Sequence, residues 1–186
     1  ASGTFVAVGQ SGKILTSSDG TSWDNRSSGT TSNLVGVTYG NSKFLTLLGS
    51  SWTGVIGMDN DSSIVPSPTT GTVLTSSNGT TWTSTSTTCS TCDNSSFTLT
   101  DVTYANSTFV AVGDSGKILT SSDGTSWDNR SSGTTSNLVG VTYGNSKFLT
   151  LLGSWTGVVG DSDNGSPTTG TVLTSSNGTS WTSSSA

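Results

Sequence analysis

Histidine and glutamate are absent from this chain of 186 residues, and with them go the usual agents of proton transfer. Every acid is Asp, so general acid–base chemistry would fall to Asp or Tyr alone. Cations are scarce too: six Lys and Arg give a net charge of −5 and leave no basic stripe for a phosphate backbone, which argues against nucleic acid as a partner. No apolar run approaches the length that crosses a bilayer, so no membrane insertion is expected. No charged, then apolar, leader opens the chain, so any signal peptide is expected to lie outside these residues. Cysteine occurs twice, Cys89 and Cys92, in the polar stretch T-C-S-T-C-D. Two thiols without histidine cannot complete a tetrahedral zinc site, and the βαβ setting of a thioredoxin-like motif is missing. The expectation is a local disulfide, Cys89 to Cys92, in an oxidising compartment.

What is present is repetition. K-I-L-T-S-S-D-G-T-S-W (Lys13 to Trp23) returns at Lys117 to Trp127, and looser copies run from Thr72 to Trp82 and from Thr171 to Trp181. Each copy is a short apolar run, an Asp-Gly or Asn-Gly pair, and a Trp three residues past the Gly. Such pairs between strand-like residues predict a hairpin on a type I′ turn, with the Trp on the return strand as an aromatic lock. On a larger scale, Phe5–Ser50 and Phe109–Ser154 match at 46 aligned positions with one difference, Gln10 against Asp114. The unit is 104 residues long and holds two smaller, diverged modules, which divides the chain into double units 1–104 and 105–186 within one domain.

Low charge and abundant Ser, Thr and Gly resemble a flexible tract, but the even return of Val, Ile, Leu, Phe, Tyr and Trp predicts a folded chain. No segment carries a 3.6-residue apolar period, so the fold is expected to be all-β. Each of four modules reads as four short antiparallel strands, for example Leu34–Tyr39, Lys43–Leu48, Thr72–Ser76 and Thr81–Ser84. Meanders repeated at this spacing predict a β-propeller-like array with incomplete first and last modules, the alternative being a twisted sandwich or solenoid.

At the hairpin the sequence resembles the Asp-box (BNR-type) β-propellers, which include sialidase-like and photosystem-assembly propellers, and it looks like bacterial surface propeller repeats of the same kind. Ser17-Ser18-Asp19-Gly20-Thr21-Ser22-Trp23 and Ser121 to Trp127 resemble a box shortened by one residue, with Asn78 and Asn177 replacing the Asp in the other copies. The resemblance implies structural boxes at Asp19, Gly20, Trp23; Asn78, Gly79, Trp82; Asp123, Gly124, Trp127; and Asn177, Gly178, Trp181. It implies no catalysis, since that family's box lies away from active sites. A sialidase-like site would require an arginine cluster, and this chain has Arg26 and Arg130 only.

Other chemistry is thin. Asp59 and Asp61, with Asp161 and Asp163, place alternating oxygen donors in equivalent loops and make calcium the one candidate cofactor, although no EF-hand loop is completed. Asn25, Asn60, Asn78, Asn94, Asn106, Asn129 and Asn177 head glycosylation triplets. Lys13, Lys43, Lys117 and Lys147 read as solvated charges at strand ends. Trp52, Trp155, Tyr39 and Tyr143 could stack on glycans or fill the space between modules. Together these readings predict a non-enzymatic, glycosylated, extracellular or cell-surface protein of structural or adhesive type, joining copies of itself into a filament through strand edges. A carbohydrate-binding propeller is the alternative.

Overall fold

The computed structural model describes residues 3–49, 56–58, 64–66, 69–92, 96–153 and 170–185. In these residues the chain is strand and turn, interrupted only by single-turn 3-10 helices at Gln10–Gly12 and Asp114–Gly116. The first module contains β1 (Phe5–Val8), β2 (Ile14–Ser17) and β3 (Asp24–Arg26). The second begins with β4 (Leu34–Gly40) and β5 (Lys43–Leu48), passes a small hairpin of β6 (Ile56–Met58) and β7 (Ile64–Pro66), and returns as β8 (Thr69–Ser76) and β9 (Thr83–Cys89). The third is β10 (Leu99–Ala105), β11 (Thr108–Gly113), β12 (Ile118–Ser121) and β13 (Ser126–Arg130). The fourth is β14 (Leu138–Gly144), β15 (Lys147–Leu152), β16 (Thr171–Ser175) and β17 (Thr182–Ser185). Every module is an antiparallel meander. The sequence period and the blades are offset by one strand: β10 starts before residue 105 yet pairs with β11. The fourth module keeps four strands, its last with 4 residues against 7 in β9.

Burial grades across each blade and follows composition. β5 (K-F-L-T-L-L) and β11 (T-F-V-A-V-G) are covered on both faces and read as nearly continuous apolar runs. The outermost β17 (T-S-S-S) is exposed throughout. The core lies between blades rather than within them. Leu45, Leu47 and Val73 of the second module meet Leu99, Phe109, Leu119 and Trp127 of the third. Val110, Val112 and Ile118 of the third meet Leu138, Phe148 and Leu173 of the fourth. Ile14 of the first meets Leu34, Leu48 and Leu74 of the second. Face-to-face blades of this kind are the architecture of a β-propeller.

The innermost strands β4, β10 and β14 stand beside one another, with β10 in the middle. Asp101 of β10 is the one acid on them. Its Oδ1 accepts the backbone N–H of Val102 (2.8 Å) and its Oδ2 that of Val141 (3.0 Å). The matching positions on the flanking strands are Gly36 and Gly140, and a Cβ at Gly36 would lie 2.5 Å from Asp101 Oδ1. A carboxylate fits here because its neighbours have no side chain. At the opposite rim, β9 and β13 pair in parallel through Thr88↔Ser126 and Cys89↔Trp127. The Cys89–Cys92 disulfide, with Cα atoms 5.4 Å apart, closes the turn that follows this pairing.

The box turns differ from the type I′ expectation. Thr16 pairs with Asp24 and Thr75 with Thr83, so the loop is seven residues long (17–23 and 76–82), not two. Only the glycines, Gly20, Gly79, Gly124 and Gly178, have positive φ. The reason is local bonding. Asp19 Oδ1 accepts the N–H groups of Thr21 and Ser22 (both 2.8 Å), and Ser17 Oγ accepts that of Gly20 (2.8 Å), which holds a wider turn open. The two-residue turns with positive φ at both positions occur elsewhere, at Asn41-Ser42, Asn106-Ser107 and Asn145-Ser146.

Glycines at equivalent places differ in what surrounds them. A Cβ at Gly40 would lie 2.0 Å from the Tyr104 ring, whereas one at Gly144 meets nothing within 4 Å. We expect Gly40→Ala to cost about 2 kcal/mol by forcing apart the second and third blades, and Gly144→Ala to fall within about 0.5 kcal/mol of the parent. Urea denaturation of the two variants checks this.

Candidate functional site: twin basic clefts

Two equivalent depressions open on the surface of the first and third modules. In the third, the 3-10 turn carrying Ser115 and Gly116, Lys117 at its end, Asn129 and Arg130 of β13, and the loop 131–135 enclose about 580 Å³. In the first, Ser11, Gly12, Lys13, Asn25, Arg26 and the loop 27–31 enclose about 630 Å³. Four of the chain's six cations line these clefts, in a protein of net charge −5.

Each cleft is built by short-range bonds that the local sequence dictates. Ser28 Oγ donates to Thr30 O (3.1 Å) and Ser132 Oγ to Thr134 O (3.1 Å), folding the S-S-G-T-T loops into tight turns. Ser11 N–H donates to Asn33 Oδ1 (3.0 Å), and Ser115 N–H to Asn137 Oδ1 (2.9 Å). Gly12 and Gly116 sit at φ +68 and +69, where a Cβ would lie 2.0 Å from Thr30 O and Thr134 O. Only glycine allows the turn and the loop to approach so closely.

The guanidinium groups are held on the strand. Arg130 donates from Nε to Thr120 Oγ1 (2.9 Å) and from Nη2 to Asp128 Oδ2 (3.0 Å). Arg26 repeats this with Thr16 (2.8 Å) and Asp24 (2.9 Å). These bonds use two of five N–H groups, so the fork is oriented and keeps donors for a planar anion such as a carboxylate. Lys117 Nζ stands 4.7 Å from the centre of the Phe97 ring, a cation–π contact. The one difference between Phe5–Ser50 and Phe109–Ser154 falls beside the clefts: Asp114 replaces Gln10, making the third-module cleft less positive.

The box residues lie away from the clefts' floors and serve the turns. Asp123 Oδ1 accepts Thr125 N–H (2.7 Å) and Ser126 N–H (2.9 Å), and Asn78 and Asn177 accept the equivalent pairs through their amide oxygens. Trp82 and Trp181 donate from Nε1 to Gly79 O (2.8 Å) and Gly178 O (2.9 Å). Partial burial draws the Asp123 carboxyl upward, but the Ser126 and Thr125 backbone bonds, with their side-chain companions, outweigh it and hold the pKa at about 2. Asp19 is held lower still, first by Ser22 N–H and then by Thr21 N–H. Because the folded pKa lies below the unfolded one, this stabilisation is complete above about pH 4 and is lost as pH falls toward 2. Asp123→Asn, the residue two other boxes carry, should leave neutral stability within about 0.5 kcal/mol and flatten the acid limb of the stability–pH curve.

The other candidate residues are scattered. Asp59, Asp61, Asp161, Asp163, Asn60, Asn94, Trp52 and Trp155 lie outside the described residues, and no cluster of three His, Cys, Asp or Glu able to hold a metal occurs among those described. Asn25 and Asn129 flank the cleft arginines, and Asn78 and Asn177 sit in the boxes. Asn106 Nδ2 donates to Ser176 O (3.4 Å) across the blade boundary, a bond that a glycan would displace. Tyr39 and Tyr143 lie 4.8 and 4.9 Å from Phe44 and Phe148, ring against ring. Lys43 is no solvated charge: its Nζ donates to Asp123 O (2.6 Å) in the next blade. Lys13 and Lys117, expected as solvated strand-end charges, line the clefts instead, and the signal for this is the recurrence of one Lys–Arg spacing in both large repeats.

The fold is that of the β-propellers. Among the solved structures that share it is YCF48 bound to D1 peptide (TM-score 0.59, 11% identity, 96% of this chain and 48% of that one). Another is YCF48 from Cyanidioschyzon merolae (TM-score 0.58, 15% identity, 96% and 51%). The chain therefore spans about half the length of these neighbours. No protein-family model and no curated protein matches the sequence, so the Asp-box resemblance has no family match behind it.

These findings correct the expected function. An extracellular adhesive protein that assembles with copies of itself is overturned, because solved structures of this fold are YCF48, one of them bound to D1 peptide. Of the aromatics behind the sugar-binding alternative, Tyr39 and Tyr143 are engaged with Phe44 and Phe148, and Trp52 and Trp155 lie outside the described residues.

Proposed function

We propose that this chain is a non-enzymatic propeller segment that binds an extended, carboxylate-bearing stretch of another polypeptide in its twin basic clefts. The observation that carries the reading is the paired placement of Lys13 with Arg26 and of Lys117 with Arg130 in two built clefts of an otherwise acidic chain. Arginine forks held by a Thr and an Asp favour bidentate contact with a carboxylate. That a propeller of similar fold is recorded with a bound peptide supports the ligand class. The lack of His and Glu supports a binding role over catalysis, and the disulfide supports an oxidising compartment.

A fluorescent, unstructured peptide bearing several Asp residues is the test probe. Its anisotropy should report saturable binding that weakens with salt. The Arg26→Ala/Arg130→Ala double variant should lose about tenfold or more, the size of a charge-assisted bond. Equal binding by the double variant would refute the proposal.

A further inference from the structure

Two of the four boxes carry Asn-Gly where the other two carry Asp-Gly: Asn78-Gly79 and Asn177-Gly178 against Asp19-Gly20 and Asp123-Gly124. The turns are otherwise bonded alike. Asn78 Oδ1 accepts Thr80 N–H (2.9 Å) and Thr81 N–H (3.0 Å), as Asp123 Oδ1 accepts the N–H groups of Thr125 and Ser126. In every box the Ser three residues before the Gly accepts the glycine N–H on its Oγ, at 2.8 Å in all four. Ser76, Ser175, Gly79 and Gly178 are buried, whereas Asn78 and Asn177 are exposed. An Asn before Gly is chemically labile, because a glycine has no Cβ to keep its nitrogen from the Asn carbonyl.

We infer that Asn78 and Asn177 are deamidation sites whose conversion to Asp the fold accepts, and that Ser76 and Ser175 hold the rate in check. The chemistry needs only water. Hydroxide takes the Gly79 N–H proton, the nitrogen attacks Asn78 Cγ, and the new N–Cγ bond closes a five-membered imide. The Cγ–Nδ2 bond breaks, and that nitrogen takes a proton from water and leaves as ammonia. Water then opens the imide to Asp, or to isoaspartate with the main chain rerouted through Cγ. The box opposes the first step twice. Ser76 Oγ holds the proton, and the glycine lies against Val6 and Phe44, where a Cβ would come within 3.2 and 3.4 Å of them. Bonds to Asn78 Oδ1 from Thr80, Thr81 and the Ser76 hydroxyl (3.1 Å) polarise the carbonyl, but with the nucleophile withheld they accelerate nothing. Conversion therefore runs through chains whose box has opened, at a rate set by the population of that state. An Asp formed there meets the same donors that Asp123 uses. Isoaspartate lengthens the main chain and does not hold the turn.

Peptide mapping by mass spectrometry tests this, with the full chain held in mildly alkaline buffer below its melting temperature. Asn78 should convert about tenfold or more slowly than the Asn of a synthetic peptide of residues 72–82. Ser76→Ala should accelerate Asn78 by about tenfold and leave Asn177, in the same molecule, at the parent rate. Ser175→Ala should do the reverse, and Ser76→Thr, which keeps the hydroxyl, should convert as slowly as the parent. The Asn78→Asp/Asn177→Asp chain should melt with the parent at neutral pH. Four results would each overturn the inference. They are a folded chain that converts as fast as the peptide, an Asn78 rate unaltered by Ser76→Ala, a double Asp variant that no longer melts cooperatively, and both asparagines accelerating together in either Ser→Ala variant, which would make global unfolding the route.

Discussion

Trp127→Ala should destabilise the chain by about 3–5 kcal/mol, while Trp23→Ala, the same residue of the same motif, should cost about 1 kcal/mol or less. The two indoles sit in identical local sequence, K-I-L-T-S-S-D-G-T-S-W, so propensity and turn chemistry cancel. What differs is the surroundings. Trp127 is 1% exposed, lies 6.5 Å from the Phe109 ring and joins the cluster that binds the second blade to the third. Its strand is also paired in parallel with β9. Trp23 is 41% exposed, on a blade whose Phe5 is open. Removing the first indole leaves a large cavity between blades; removing the second leaves an exposed loop slightly emptier. Equilibrium denaturation in guanidinium measures both, and equal losses would mean that the indoles stabilise only their own turns.

Gly113→Ala should cost about 3 kcal/mol, and Gly9→Ala less than about 0.5 kcal/mol. Both glycines are in extended backbone, with φ −172 and −170, so strain at the residue itself is the same small quantity. The new methyl at 113 would collide with main chain, Thr98 O at 2.1 Å and Leu99 Cα at 2.9 Å, and main chain between two paired strands has little room to retreat. It would also press on the bond from Asp114 N–H to Thr98 O (2.9 Å). The methyl at 9 enters open space. Thermal melts of the two variants, read by near-ultraviolet circular dichroism, separate these outcomes.

Much of the fold is legible in the sequence because the repeat writes each element several times. The K-F-L-T-L-L and T-F-V-A-V-G runs announce buried central strands, and T-S-S-S at the end announces an exposed outer one. Asp19 was legible as a structural box residue, but not, with Ser17, as the anchor of a seven-residue loop. That geometry depends on which N–H groups one carboxylate oxygen reaches, and an Asp-Gly pair looks the same in a tight hairpin. The parallel contact of β9 with β13 was invisible, since it joins strands of different blades and leaves no mark on either one's alternation. The clefts were hidden for a similar reason. Lys117 and Arg130 are brought together by the β12–β13 pairing, in which Ile118 faces Arg130, but the approach of the 131–135 loop to Gly116 that completes the cleft leaves no local pattern. Asp101 between Gly36 and Gly140 is legible as one of two breaks, with Thr100, in an otherwise repeated L-V-G-V-T-Y.

Isothermal titration with the Asp-bearing peptide counts the clefts directly. The intact chain should show two sites, Arg130→Ala alone should reduce the count to one, and adding Arg26→Ala should abolish the heat of binding. The peptide with its Asp residues replaced by Asn should give none. A single site untouched by either arginine, or equal heats from the Asn peptide, would contradict recognition of carboxylates by the paired clefts.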